Sequence, residues 1–177
     1  MMDLKITETI NRPIEDVYVL VRDNLDKLVP YLPNVDKIEV KKHAPKDDKT
    51  VEVINHWYGK VDMPGMLKKF LSPEIFSWKD VASWDNNEKA VKYKLESFLA
   101  NDLFDAHGKN FFIDNGDGTT DLKITCTVKI YPEKVPGIPR LLAKKVTPMI
   151  ETLMEKLLGP NLTSLGSGLQ KYFEENS

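Results

Sequence analysis

From Ile138 to Phe173 the chain draws a single apolar stripe at helical spacing, and almost everything before it alternates as strands do. Leu142, Val146, Met149, Ile150, Leu153 and Leu157 follow one another in steps of three and four or their near equivalents, and Leu162, Leu165, Leu169 and Phe173 resume the stripe after Gly159-Pro160. A long helix that follows a run of strands must bury its stripe against a sheet, and the sheet must curve to receive it. A sheet curved around one helix encloses a hollow, so the question of function begins there. Pro148 removes a backbone hydrogen bond at a cost of about 3 kcal/mol, which predicts a kink or fresh start near Thr147. Gly159-Pro160 is expected to bend or break the element again, with Gly166 and Gly168 loosening its final turns.

The preceding residues divide at their turn signals. Residues 3–10 alternate as a first strand. Asn11-Arg12-Pro13 starts a helix with Glu15 and Asp16 at its positive end and Ile14, Val17, Tyr18 and Val21 on its buried face. A second short helix is expected over Asn24–Val29, stopped by Pro30 and Pro33. Strands follow near 35–43, 49–60, 74–85, 89–100, 104–114 and 120–131. The NGDGT segment at 115–119 is the clearest hairpin turn. Residues 61–73 interrupt the meander, and Pro132 to Pro139 form a rigid connector. No repeat or linker divides the chain, which predicts one domain over 1–177.

Composition narrows the function. A formal net charge of -2 provides no basic field for nucleic acid. The single cysteine, Cys126, excludes an intrachain disulfide and falls on an inward strand position, as a core residue would. No signal-peptide pattern opens the sequence and no apolar run is long enough to span a bilayer, so a cytoplasmic protein without integral membrane association is expected.

Strand, two short helices, six strands and a closing helix is the helix-grip order. The stretches ITETINRPIEDVYVLVRD, YLPNVDKIEV and GDGTTDLKITCTV, with the closing helix, resemble the SRPBCC or START-like superfamily, which includes birch-pollen-allergen-like proteins. WYGKVDMP, SPEIFSWKDVASWD, VPGIP and GPNLTSLGSGLQKYF look like an uncharacterised bacterial branch of it. The resemblance implies an α+β fold: a strongly curved antiparallel seven-stranded sheet, β-α-α-β6-α, wrapped around the long C-terminal helix. It also implies a pocket for a hydrophobic or amphipathic small molecule or lipid, and no particular activity, because one fold hosts many functions. The residues themselves carry no cofactor-binding pattern, so no cofactor is expected.

Alternation puts Asn55, Trp57, Phe76, Trp78, Asp80, Trp84, Tyr93 and Ser97 on inward faces, and Met149 and Leu153 of the helix are expected to close over them. Large rings with polar tips suit a planar ligand, although such rings also simply fill cores. Asn55 and Ser97 can hydrogen-bond a ligand or satisfy backbone groups. Asp80 is the odd member, since a carboxylate in a dry site must be paired, hydrated or protonated. The preferred reading here is that a bulge turns it outward or a lysine pairs with it; the alternative makes it a catalytic acid or base. Met63, Met66, Leu67 and Phe70, with Lys68 and Lys69 between them, form a lid over the pocket, a segment resting on a membrane surface, or a plug at one end of the sheet. His43, His56 and His107 lack metal-ligand spacing, and NGDG departs from a calcium loop.

Three functions remain open in this order. The first is binding or carriage of a hydrophobic molecule between sheet and helix. The second is a cyclase, dehydratase or isomerase working through Asp80, with Asn55, Ser97 or Tyr93 orienting the substrate. The third is a co-chaperone-like protein-interaction module. Oligomeric state is not legible.

Overall fold

The alternating runs become seven strands of one antiparallel sheet. The computed structural model describes residues 1–99 and 102–177. Its strands are β1 (Met2–Ile10), β2 (Val35–Pro45), β3 (Thr50–Gly59), β4 (Ser77–Asp85), β5 (Ala90–Ser97), β6 (Phe104–Asp114) and β7 (Thr120–Ile130). They lie in the order β1-β7-β6-β5-β4-β3-β2, so each hairpin pairs its own neighbours and β1 closes onto the last strand. The helices are α1 (Ile14–Asp23), the single turn α2 (Gly65–Lys68) and α3 (Arg140–Glu175). This is the expected α+β helix-grip arrangement. Among the described residues no helix is long and apolar enough to cross a membrane.

Local chemistry moves several boundaries. The expected helix after Asn24 is a 3-10 helix over Leu25–Tyr31 with Pro30 inside it; so short a run makes few internal bonds, and a missing N–H costs it little. The strand expected from residue 74 begins at Ser77. Before it, Pro73–Phe76 forms a 3-10 turn whose Ser72 hydroxyl accepts from Glu74 N–H. The strand expected over 89–100 ends at Ser97, and residue 100 lies outside the described residues.

The largest correction concerns α3, which runs unbroken for 36 residues through both prolines. Pro160 has no N–H for the Lys156 carbonyl, and Asn34 Nδ2 donates to that carbonyl instead at 3.0 Å. Pro148 frees the carbonyl of Lys144, an exposed residue that solvent reaches. Gly166 and Gly168 do not loosen the helix either. A Cβ at Gly166 would collide with the Glu8 side chain on β1, and one at Gly168 would come within 2.9 Å of Tyr31 Cβ. These glycines let the helix press against the rest of the fold.

Two apolar clusters lie along α3. One joins α1, the 3-10 helix and the sheet to Leu165 and Leu169; within it Tyr18 meets Trp84 and Phe112 edge-on, each at 5.3 Å between centroids. The other joins Leu67, Phe76, Trp78 and Val128 to Val146, Ile150, Leu153 and Leu157. Trp57, Tyr93 and Leu162 touch both clusters.

Candidate functional site

Between the two clusters the sheet and helix separate around a cavity of about 100 Å³. That is room for several waters or part of a small ring system. Strand register builds its floor. Asn55 on β3 lies directly opposite Asp80 on β4, and Trp57 opposite Trp78 one step along the same face. On the far side of β4, Ala82 opposes Tyr93 and Trp84 opposes Val91 on β5. All eight line the cavity, and α3 closes it with Leu158, Asn161, Leu162 and Leu165. Trp57 and Trp78 stack at 5.6 Å, with 16° between their planes.

Asp80 faces this cavity, contrary to the outward or lysine-paired position preferred from the sequence. β4 pairs without a bulge from Ser77 to Asp85, so nothing rotates the residue, and among the described residues no lysine, arginine or histidine lines the cavity. The residue keeps some accessible surface, as a cavity wall does, while its Oδ1 is sealed from solvent and has no hydrogen-bond partner. Burial pushes its pKa from 3.8 up to about 7; the indole N–H of Trp57 draws it part of the way back without closing a hydrogen bond of normal geometry. Tyr93 donates to the Thr125 carbonyl at 2.7 Å, so its hydroxyl is engaged, and burial pushes its pKa upward, as it does that of the neighbouring Cys126 thiol.

Five buried side-chain polar atoms among the described residues lack a partner: Asn55 Oδ1, Trp57 Nε1, Asp80 Oδ1, Asn110 Oδ1 and Asn161 Nδ2. Every one belongs to a residue that lines this cavity. Each buried group left unmet costs about 1–3 kcal/mol, so five together would rival the whole stability of a domain, on the order of 5–15 kcal/mol. Such a set is tolerated where water or the polar groups of a ligand meet it. For Asn161 the orientation is settled, because its Oδ1 accepts from Asn34 N–H at 3.3 Å and its amide nitrogen is left to donate.

Other expected site residues lie elsewhere. Phe76 is buried in the second cluster on its 3-10 turn. Ser97 is buried at the end of β5, where its hydroxyl accepts from Leu99 N–H at 3.1 Å. Met149 and Leu153 pack in the second cluster, since the cavity meets α3 a turn or more further along. None of Met63, Met66, Leu67 and Phe70 lines the cavity; Leu67 is fully buried in the second cluster. The sequence reading missed Asn110 and Asn161 and left Cys126 in the core, although it too lines the cavity. His43 bonds Asp23 at 2.7 Å and His107 is exposed beside Asp105; among the described residues no three metal-binding side chains come together.

No family model and no curated protein matches the chain. Solved structures do match. TTHA0849 from Thermus thermophilus is 22% identical, with 99% of each chain covered and a TM-score of 0.63. The Zhui aromatase/cyclase from Streptomyces sp. R1128 is 16% identical over 99% of this chain and 94% of that one, again with a TM-score of 0.63. A START superfamily protein from Mycobacterium smegmatis is 15% identical over 99% of both chains, at 0.56. At these identities the likeness is one of fold, and the fold is the START-like, SRPBCC one.

Proposed function

We propose that the cavity binds a small ring-bearing molecule that carries hydrogen-bonding groups and no negative charge, and that the protein sequesters or carries it. One observation carries the reading: the five partnerless polar atoms all surround one aromatic-walled cavity. Fatty acids and other carboxylates fit poorly, because among the described residues Asp80 is the only carboxyl on the wall and no base balances it. A neutral alcohol, or an amine whose cation rests against Asp80 and an indole, suits the same wall. A cytoplasmic setting accords with the unpaired Cys126.

The test is calorimetric titration with 1-naphthalenemethanol. Saturable one-to-one binding is expected, and Ala82→Phe, which projects a ring from the floor of the cavity, should weaken it at least about tenfold while the circular dichroism stays unchanged. Absence of binding, or binding indifferent to Ala82→Phe, would remove the proposal.

The position of Asp80 favours a second reading, an enzyme of cyclase, dehydratase or isomerase type. A carboxyl with a pKa of about 7 is poised to exchange protons at neutral pH. Deuterium exchange at the α-carbon of 2-tetralone, followed by NMR, tests it. Acceleration by the protein that disappears in Asp80→Asn supports an enzyme, and no acceleration leaves the carrier alone.

A further inference from the structure

The segments on either side of α2 and at the start of α3 have a chemistry of their own. Residues 60–71 and 132–145 carry seven lysines and arginines against two acids, Asp62 and Glu133, within a chain whose net charge is -2. The two segments pack together: a Cβ at Gly137 would come within 2.6 Å of the Phe70 carbonyl, and Leu67, Met63, Val135, Ile138 and Leu142 share one apolar cluster. Lys134 pairs with Asp102 at 3.3 Å, whereas Lys60, Lys68, Lys69, Arg140, Lys144 and Lys145 form no ion pair among the described residues. Concentrating positive charge here runs against the global balance, since the rest of the chain carries 18 basic against 25 acidic residues.

An apolar tip projects from this field. Leu141, in the first turn of α3, is 97% exposed, and Met66 on α2 is 36% exposed. A helix start usually carries acids, yet the first turn of α3 has none and opens with Arg140. Arg140, Lys144 and Lys145 stand one, three and four residues from Leu141, on the same turns of the helix. Neither the leucine nor the charges serve packing.

We infer that this end of the molecule docks on an anionic lipid surface, with Leu141 and Met66 entering the headgroup region and the unpaired cations Lys68, Lys69, Arg140, Lys144 and Lys145 resting on the lipid phosphates. The charge complementarity selects a membrane rich in acidic lipids, and the leucine adds affinity that salt does not screen. The surface is separate from the ligand cavity.

Flotation of the full chain with vesicles tests the inference. Binding is expected to vesicles of phosphatidylcholine containing about a third phosphatidylglycerol, and to be absent from pure phosphatidylcholine. Lys144→Glu with Lys145→Glu should weaken it by about 25-fold or more, at about fivefold for each cation removed from the surface. Leu141→Ser should weaken it by about tenfold, and this loss should persist at high salt. Both positions are exposed, so the variants retain the fold, which circular dichroism verifies. Equal binding to both kinds of vesicle, no binding to the acidic one, or binding indifferent to the charge reversal would each overturn the inference.

Discussion

Replacing Asp80 with asparagine should stabilise the protein, by an amount that grows with pH. In the unfolded chain the carboxyl gives up its proton near 3.8, while in the folded protein burial holds the proton to about 7. Between those values folding takes up a proton, so native stability falls as pH rises. The slope is about 1.4 kcal/mol per pH unit where only the native state is protonated. Across the whole window the loss reaches up to roughly 4 kcal/mol, and it levels off above about pH 7. The Asp80→Asn variant has no proton to lose. The stability gap between variant and parent should therefore be small near pH 4 and open steadily to its full value by about pH 8. Urea unfolding at a series of pH values, followed by the fluorescence of Trp57, Trp78 and Trp84, measures the gap, and subtracting one protein from the other cancels every other titrating group. A gap that is flat with pH, or that closes as pH rises, would refute a buried and partnerless Asp80.

Other consequences can be measured on the same material. Asn34→Ala removes the donor that serves the Lys156 carbonyl; it should cost about 1 kcal/mol and lower Tm by about 2–4 °C in calorimetry. An unchanged Tm would mean that the carbonyl freed by Pro160 needs no partner. Gly108→Ala would drive a Cβ into the Thr125 carbonyl and the Tyr93 hydroxyl, so urea unfolding should show a loss of about 1–3 kcal/mol together with weaker binding of 1-naphthalenemethanol. Tyr93→Phe should cost about 1 kcal/mol through the lost bond to Thr125 and change probe affinity by less than about twofold.

Much of the fold was legible because period-two alternation is a local signal. The inward faces of β3, β4 and β5 could be read residue by residue, and the structure places Asn55, Trp57, Trp78, Trp84 and Tyr93 together on the cavity wall. Asp80 obeyed its alternation too; the expectation that it would escape rested on a bulge near the turn or a pairing lysine, and the unbroken register of β4 supplies no bulge. Asn110 was legible in principle. The hairpin closing Asp114 onto Thr120 fixes the register so that Asn110 opposes Ile124, an inward residue of a cleanly alternating strand, but adjacent Phe111 and Phe112 hid the facing. Asn161 carried no such signal. It precedes the apolar stripe resumed at Leu162, and only the approach of Asn34 in the folded chain gives it a role. The continuity of α3 was beyond local reading for the same reason, since the side chain that replaces the donor missing at Pro160 lies 122 residues away from the carbonyl it serves.

The most direct test of the account is a calorimetric comparison of three ligands that share one ring: 1-naphthalenemethanol, 1-naphthylmethylamine and 1-naphthoate at neutral pH. The partnerless donors and acceptors, with Asp80 as the only carboxyl on the wall and no base beside it among the described residues, predict that the alcohol and the amine bind saturably at one site. The carboxylate should bind at least about tenfold more weakly than either. Equal binding of the carboxylate, or saturable binding by none of the three, would contradict the account.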